Sequence, residues 1–165
     1  MENKSRKAIF PGTFDPVTNG HLDLIDRGLK MFSGVLVAVA RSDRKDTLFS
    51  HEERVDMVRQ STREMAGVEV LGFEELLVDL ARRMRLNIVI RGLRVFSDFE
   101  YELQMALMNR RLSKDLEAVF LMPSEQYTYL TSTLVKEICA LGGDVKGLVP
   151  SPVEAMLGAK LGGRS

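Results

Sequence analysis

The 165-residue sequence has no tryptophan, one cysteine and only two histidines, and its 23 Lys and Arg are matched by 23 Asp and Glu. A single thiol, Cys139, excludes an intramolecular disulfide framework and the usual zinc-ligand spacings, and it fits a reducing compartment. Balanced charge removes the general electrostatic grip on nucleic acid or on a membrane surface, so neither is expected as a partner. No apolar run reaches the ~20 residues that span a bilayer, and no apolar leader follows the charged "MENKSRK" start, so a cytoplasmic location is expected. The phosphate loop GxxxxGK[ST] is missing, and no GxGxxG follows the first apolar run, which argues against nucleotide binding in either of those styles. Internal repeats and low-complexity linkers are also missing, and the length suits one domain over residues 1–165.

What the sequence does contain is a regular alternation. Runs of strand length occur at 8–10 (AIF), 35–40 (VLVAVA), 68–72 (VEVLG), 87–92 (NIVIRG) and 118–122 (AVFLM), continuously apolar or β-branched, as strands buried on both faces should be. Between them lie helical stripes: Leu22, Ile25, Leu29 and Phe32; Val55, Val58 and Met65; Leu76, Leu77, Leu80 and Met84; Tyr101, Met105, Met108 and Leu112. Ser50 with Glu53, and Ser97 with Glu100, have capping-box spacing and mark two helix starts. A helix from about Ser132 to Leu141 ends at Gly142-Gly143, a short one opens at Pro152, and the tail from about 158 to 165 reads as loose. Strict βα alternation predicts an α/β fold: a five-stranded parallel sheet, doubly wound, with C-terminal helices.

In such sheets ligands bind outside the carboxyl ends of the strands, and most of the unusual residues fall there. Arg41, Arg44, Lys45, Arg91 and Arg94 all follow a strand, a concentration of cations on a neutral chain that points to a small polyanion such as a phosphate chain. "TNGH" opens the first helix and "TST" at 131–133 opens the one after the fifth strand, each offering hydroxyls with unpaired amides. His21 stands at the first of these helix starts, where the helix dipole disfavours a protonated imidazole, so it should be neutral or beside an anion. Gly20 leaves room for a ligand there. His51 reads as part of a cap, Cys139 as a core-facing thiol, and the Met105/Met108 stripe as packing or subunit contact.

"FPGTFDPVTNGH", "IRGLRVFSDFEYE" and "FLMPSEQYTYLTSTLVKE" together closely resemble the phosphopantetheine adenylyltransferases, over a span from the first strand through the helix after the fifth. The TxGH element alone marks the wider nucleotidyltransferase superfamily, whereas "RGLR" with "FEYE" is more selective. The resemblance implies a dinucleotide-binding-like nucleotidyltransferase fold and transfer of an adenylyl group from ATP to 4'-phosphopantetheine. The products would be dephospho-coenzyme A and pyrophosphate, with Mg2+ accompanying the nucleotide. It also implies a homohexamer and feedback by coenzyme A. Carried onto matching positions, Thr13 would meet the acceptor phosphate with Phe14 beside the nucleotide. His21 would contact the ATP phosphates and stabilise the transition state. Lys45 and Arg91 would lie on the acceptor side, with Leu77 offering its backbone to the pantetheine arm. Gly92, Leu93, Arg94 and Glu102 would belong to the ATP site, together with Tyr127, Thr128, Tyr129, Leu130, Thr131, Ser132 and Thr133. Arg44 precedes Lys45, so either could be the acting cation.

The residue inventory suits that chemistry. A phosphate monoester is largely ionised near neutral pH, so it can attack the α-phosphorus without a protein base or a covalent intermediate. What remains is alignment and charge stabilisation, a task for donors and cations. Two alternatives stand beside this reading: another nucleotidyltransferase with a phosphorylated small-molecule acceptor, and a non-catalytic nucleotide-binding module.

Overall fold

The computed structural model describes residues 6–41, 46–94 and 96–162, with the backbone alone at 96–98. The elements run β1 (Lys7–Gly12), α1 (Asn19–Met31), β2 (Gly34–Ala40), α2 (His51–Thr62), β3 (Val68–Phe73), α3 (Leu77–Met84), β4 (Ile88–Gly92), α4 (Phe96–Leu112), β5 (Glu117–Leu121), α5 (Ser132–Ala140) and α6 (Ser151–Leu161), with a 3-10 turn at Glu125–Tyr127. All five strands are parallel, in the order β3-β2-β1-β4-β5. The chain moves outward from β1 to β3 on one side, then crosses back to place β4 against β1. That reversal opens a crevice between β1 and β4 at their carboxyl ends.

The period of two along the central strands divides the core into two layers. Ala8 and Phe10 of β1, with Val35, Val37 and Val39 of β2, pack on Leu24 and Ile25 of α1, Val55 and Val58 of α2, Val135 of α5 and Leu157 of α6. Ile9, Leu36, Ala38 and Val89 face the other way, onto Val78, Leu80 and Ala81 of α3. Each such aliphatic side chain, fully buried, contributes ~1.5–3 kcal/mol. Gly28 lets α1 lie close to the sheet, since a Cβ there would stand 2.8 Å from Ile90 Cδ1 and 3.1 Å from Val35 Cγ2.

Four sequence expectations need correction. β3 and β5 are not buried on both faces: they are the sheet edges and their side chains are mostly half-exposed. Of the two readings open for the Tyr101, Met105, Met108 and Leu112 stripe, packing into this chain's core is the one to give up: Tyr101 is 58% and Met108 52% exposed, because α4 covers an edge of the sheet with little beyond it. α4 begins at Phe96, ahead of Ser97, so Ser97 lies inside the first turn rather than capping it. The C-terminal helix is a full 11 residues through Leu161 and absorbs the front of the supposed loose tail, held by Val153 and Leu157 in the core. Ser50 and Glu53 do form the expected reciprocal box, at 3.2 and 2.7 Å. Cys139 is buried, and His51 opens α2 with its Nε2 3.0 Å from the Val39 carbonyl. Among the described residues no helix is long and apolar enough to cross a membrane.

Candidate active site

A cleft of about 150 Å³ occupies the crevice between β1 and β4. β1 and its loop contribute Phe10, Gly12 and Phe14; α1 contributes Gly20, His21 and Leu24. Arg91, Gly92 and Arg94 follow β4, Glu102 reaches in from α4, and Pro123, Tyr127 and Leu130 close the side after β5.

The local chemistry of the loop sets His21. Thr18 is the N-cap of α1, and His21 stands at the third helical position, where a Glu or Gln would complete a capping box. Here the imidazole does so: the Thr18 backbone N–H donates to His21 Nδ1 at 3.0 Å, with Thr18 Oγ1 also 3.0 Å away. Accepting at Nδ1 places the ring proton of neutral His21 on Nε2, which has no protein partner among the described residues. Phe14 packs edge-on against the ring at 5.0 Å and Phe10 lies 6.4 Å away. Burial first, and Arg94 second, lower the His21 pKa from 6.5 to about 4. The imidazole is therefore a neutral, preoriented N–H donor on the cleft wall at physiological pH.

Arg91 and Glu102 face each other across the cleft, Nη2 to Oε1 at 2.7 Å with Nε on the second oxygen. Two residues that the family resemblance would place on different substrates thus hold each other. Arg94 donates to the Leu130 carbonyl at 3.3 Å, tying the loop after β4 to the segment after β5. Arg41 does not line the cleft; it pairs with Glu74 just beyond the carboxyl ends of β2 and β3. Of the described cations in the strand-end pattern, Arg91 and Arg94 line the cleft, and Arg44 and Lys45 lie outside the described residues.

Several expected residues line no part of the cleft. Thr13 is exposed at its edge, and the Leu93 amide is used on the Leu121 carbonyl. Thr131 caps α5 through the Leu134 amide at 3.0 Å, and Ser132 donates to the Pro16 carbonyl at 2.7 Å, so both hydroxyls serve the fold. Thr128 likewise donates to the Glu125 carbonyl at 2.8 Å, while Tyr129 and Thr133 are exposed. Leu77 lines a second, apolar recess with Val89, Met105 and Leu116, and Arg91 is the residue common to both. Gly20 borders the cleft, but a Cβ there would meet Thr18, Tyr127 and Leu130 at ordinary contact distance, so its room is not reserved for a ligand.

Sequence reading missed the polar framework under the loop. Phe14 has a positive φ of 52° and the Asp15-Pro16 bond is cis. Asp15, only 6% exposed, accepts from Lys136 Nζ at 2.7 Å and from the Leu48 and Phe49 amides at 3.0 and 2.9 Å. Burial pushes its pKa up, but those donors together outweigh it and hold the carboxyl below the usual range. Asp23 of α1 accepts from the Ser124 hydroxyl and amide at 2.6 and 2.7 Å and from Arg27 at 3.0 Å, which anchors the segment after β5. Arg54 is buried as well, and a signal for it existed: it lies four residues before Val58, on the apolar stripe of α2.

The cytidylyltransferase-like family model matches residues 9–138. Over 150 residues the chain is 53% identical to the phosphopantetheine adenylyltransferase of Moorella thermoacetica, covering 91% of this chain and 94% of that one. Among solved structures, a Vibrio parahaemolyticus protein assigned as a nicotinate-nucleotide adenylyltransferase superposes with a TM-score of 0.70 over 92% of this chain and 97% of its own. At 15% identity that likeness speaks to the fold alone.

Proposed function

We infer the chemistry from membership: the chain belongs to the phosphopantetheine adenylyltransferases, within the cytidylyltransferase-like family. It is a nucleotidyltransferase that passes an adenylyl group from ATP to 4'-phosphopantetheine in coenzyme A biosynthesis. The mechanism we propose is direct displacement. An ionised oxygen of the acceptor phosphate attacks the α-phosphorus of ATP, and the bond from that phosphorus to the α,β-bridging oxygen breaks. Pyrophosphate leaves with the electron pair, and dephospho-coenzyme A remains. No proton need move, so no protein base is required.

The observation that carries this reading is His21: a neutral Nε2–H donor, locked through Nδ1 and facing a cleft lined by Arg91 and Arg94. Such a donor stabilises charge that develops on phosphoryl oxygens without reorganising during the step. Arg94 would join it on the nucleotide side, while Arg91, shared by both recesses, would hold the acceptor phosphate with the pantetheine arm running over Leu77. Phe14, Gly92, Glu102, Tyr127 and Leu130, which line the cleft, would take the nucleotide-side roles their family positions imply, and Thr13 and Lys45 the acceptor-side ones. Leu93, Thr128, Tyr129, Thr131, Ser132 and Thr133 would do so only through groups not already used by the fold. Among the described residues no three His, Cys, Asp or Glu side chains converge to hold a metal ion. Mg2+ would enter on the ATP phosphates and would supply charge neutralisation for the departing pyrophosphate.

The exposed apolar face of α4 is a surface on which a homohexamer would be built, and coenzyme A would compete at the acceptor recess as a feedback inhibitor in the cytoplasm. A coupled pyrophosphate assay with ATP, Mg2+ and 4'-phosphopantetheine tests the reading. Formation of dephospho-coenzyme A is expected. Turnover only with another acceptor, such as nicotinamide mononucleotide, would replace the substrate assignment, and silence with every acceptor would leave a nucleotide-binding module.

A further inference from the structure

Arg54 is the largest fully buried side chain among the described residues, 1% exposed, and no carboxylate pairs with it there. Its guanidinium is spent on main-chain carbonyls instead. Nη1 donates to Thr13 O at 2.6 Å and to Ala40 O at 2.8 Å, and Nε donates to Phe49 O at 3.3 Å. Thr13 follows β1, Ala40 ends β2, and Phe49 closes the segment that enters α2. The Phe49 peptide is gripped from both sides, since its N–H donates to Asp15 and its C=O accepts from Arg54. Lys136 of α5 completes the set by holding Asp15.

Packing does not call for this arrangement. A cation held only by carbonyl dipoles is costly inside a protein, and an aliphatic side chain would fill the same volume at lower cost. Burial lowers the Arg54 pKa, while the Asp15 and Glu52 carboxylates act in the opposite sense. What a planar guanidinium does, and an aliphatic residue does not, is hold the Thr13 and Ala40 carbonyls together on Nη1 while its Nε, rigidly spaced from Nη1, reaches the Phe49 carbonyl. Of the two strand ends joined this way, the β1 end borders the crevice and leads into Thr13, and the β2 end braces it from the neighbouring strand.

We propose that Arg54 is a positioning residue for the acceptor phosphate: by gripping the Thr13 and Ala40 carbonyls with one guanidinium, it sets the height and tilt of the β1–α1 loop on which Thr13 meets the phosphate. The positive charge under that loop also favours an anion above it. The proposal rests on the acceptor reading of Thr13, and the experiment separates the two. Arg54→Lys keeps the charge but is one bond shorter than the reach to Nη1 and lacks the Nε donor to Phe49, and Arg54→Gln loses the charge as well.

The test is steady-state kinetics on the purified full-length protein, varying ATP and 4'-phosphopantetheine separately, with thermal melting of each variant. For Arg54→Lys the acceptor KM should rise by about ten-fold or more while the ATP KM stays within about two-fold, because small misplacements of a binding group carry penalties of that size. Arg54→Gln should show a larger acceptor effect. An unchanged acceptor KM in a folded variant overturns the proposal, as do parallel shifts in both KM values. If neither variant folds, Arg54 serves stability alone and the proposal also falls. Wild-type inactivity toward 4'-phosphopantetheine would instead overturn the acceptor reading, and this role with it.

Discussion

Replacing His21 by glutamine separates the two tasks the imidazole performs. At the third position of α1 a Gln side chain can still accept the Thr18 N–H through its amide oxygen, so the reciprocal cap that Nδ1 makes at 3.0 Å should survive. The amide is too short to present a second donor where Nε2–H now faces the cleft. Loss of one preorganised donor at a charge-developing centre costs ~3 kcal/mol, or ~10²–10³ in kcat. His21→Ala should lose the same turnover and, with the cap weakened, a further ~1 kcal/mol of stability. For a chain of this length that is a melting shift of ~2–4 °C. The measurement is kcat from pyrophosphate release at saturating substrates, beside ATP binding by calorimetry and a thermal melt. His21→Gln should melt within a few degrees of the wild type, bind ATP, and turn over slowly. A His21→Gln enzyme with kcat within about ten-fold of wild type would refute the donor role, because no comparable group remains at that position.

Three further outcomes follow from the same contacts. Because the folded His21 pKa is about 4 against an ordinary 6.5, the unfolded chain takes up the proton first, and stability due to His21 is full above 6.5 and is lost as pH falls toward 4. That loss amounts to ~3 kcal/mol, so melting temperatures measured from pH 7 to 4.5 should fall more steeply for wild type than for His21→Gln. Asp15→Ala should lower stability by ~3 kcal/mol in urea titrations, since it leaves Lys136 unpaired and the Leu48 and Phe49 amides without an acceptor; a loss below ~1 kcal/mol would contradict the framework role. Gly28→Ala adds ~1 kcal/mol of helix propensity but presses a Cβ to 2.8 Å from Ile90 and 3.1 Å from Val35, and the overpacking cost of ~1–3 kcal/mol should prevail. A stabilised Gly28→Ala protein would show that α1 has slack against the sheet.

Much of the architecture was legible because it is local. Five apolar runs separated by amphipathic stretches leave few topologies once crossovers are right-handed, and the strand-end rule then gathers His21, Arg91, Gly92 and Arg94 into one crevice. The position of His21 at a helix start was likewise a local fact, and the dipole there left it either neutral or beside an anion; burial and Arg94 decided for the neutral ring. Motif resemblance added the substrates. Partners were another matter. Arg91 meets Glu102 eleven residues on, Asp15 meets Lys136 from α5, and Arg54 reaches back to Thr13 and Ala40. Ridding the mouth of Arg41, turning the α4 stripe outward and exposing the edge strands also depended on which strand lies beside which. Periodicity, capping and turn chemistry act over a few residues and can be read along a chain. Charge pairing and burial are set by distances across the sheet, and those exist only once the strand order has brought remote segments together.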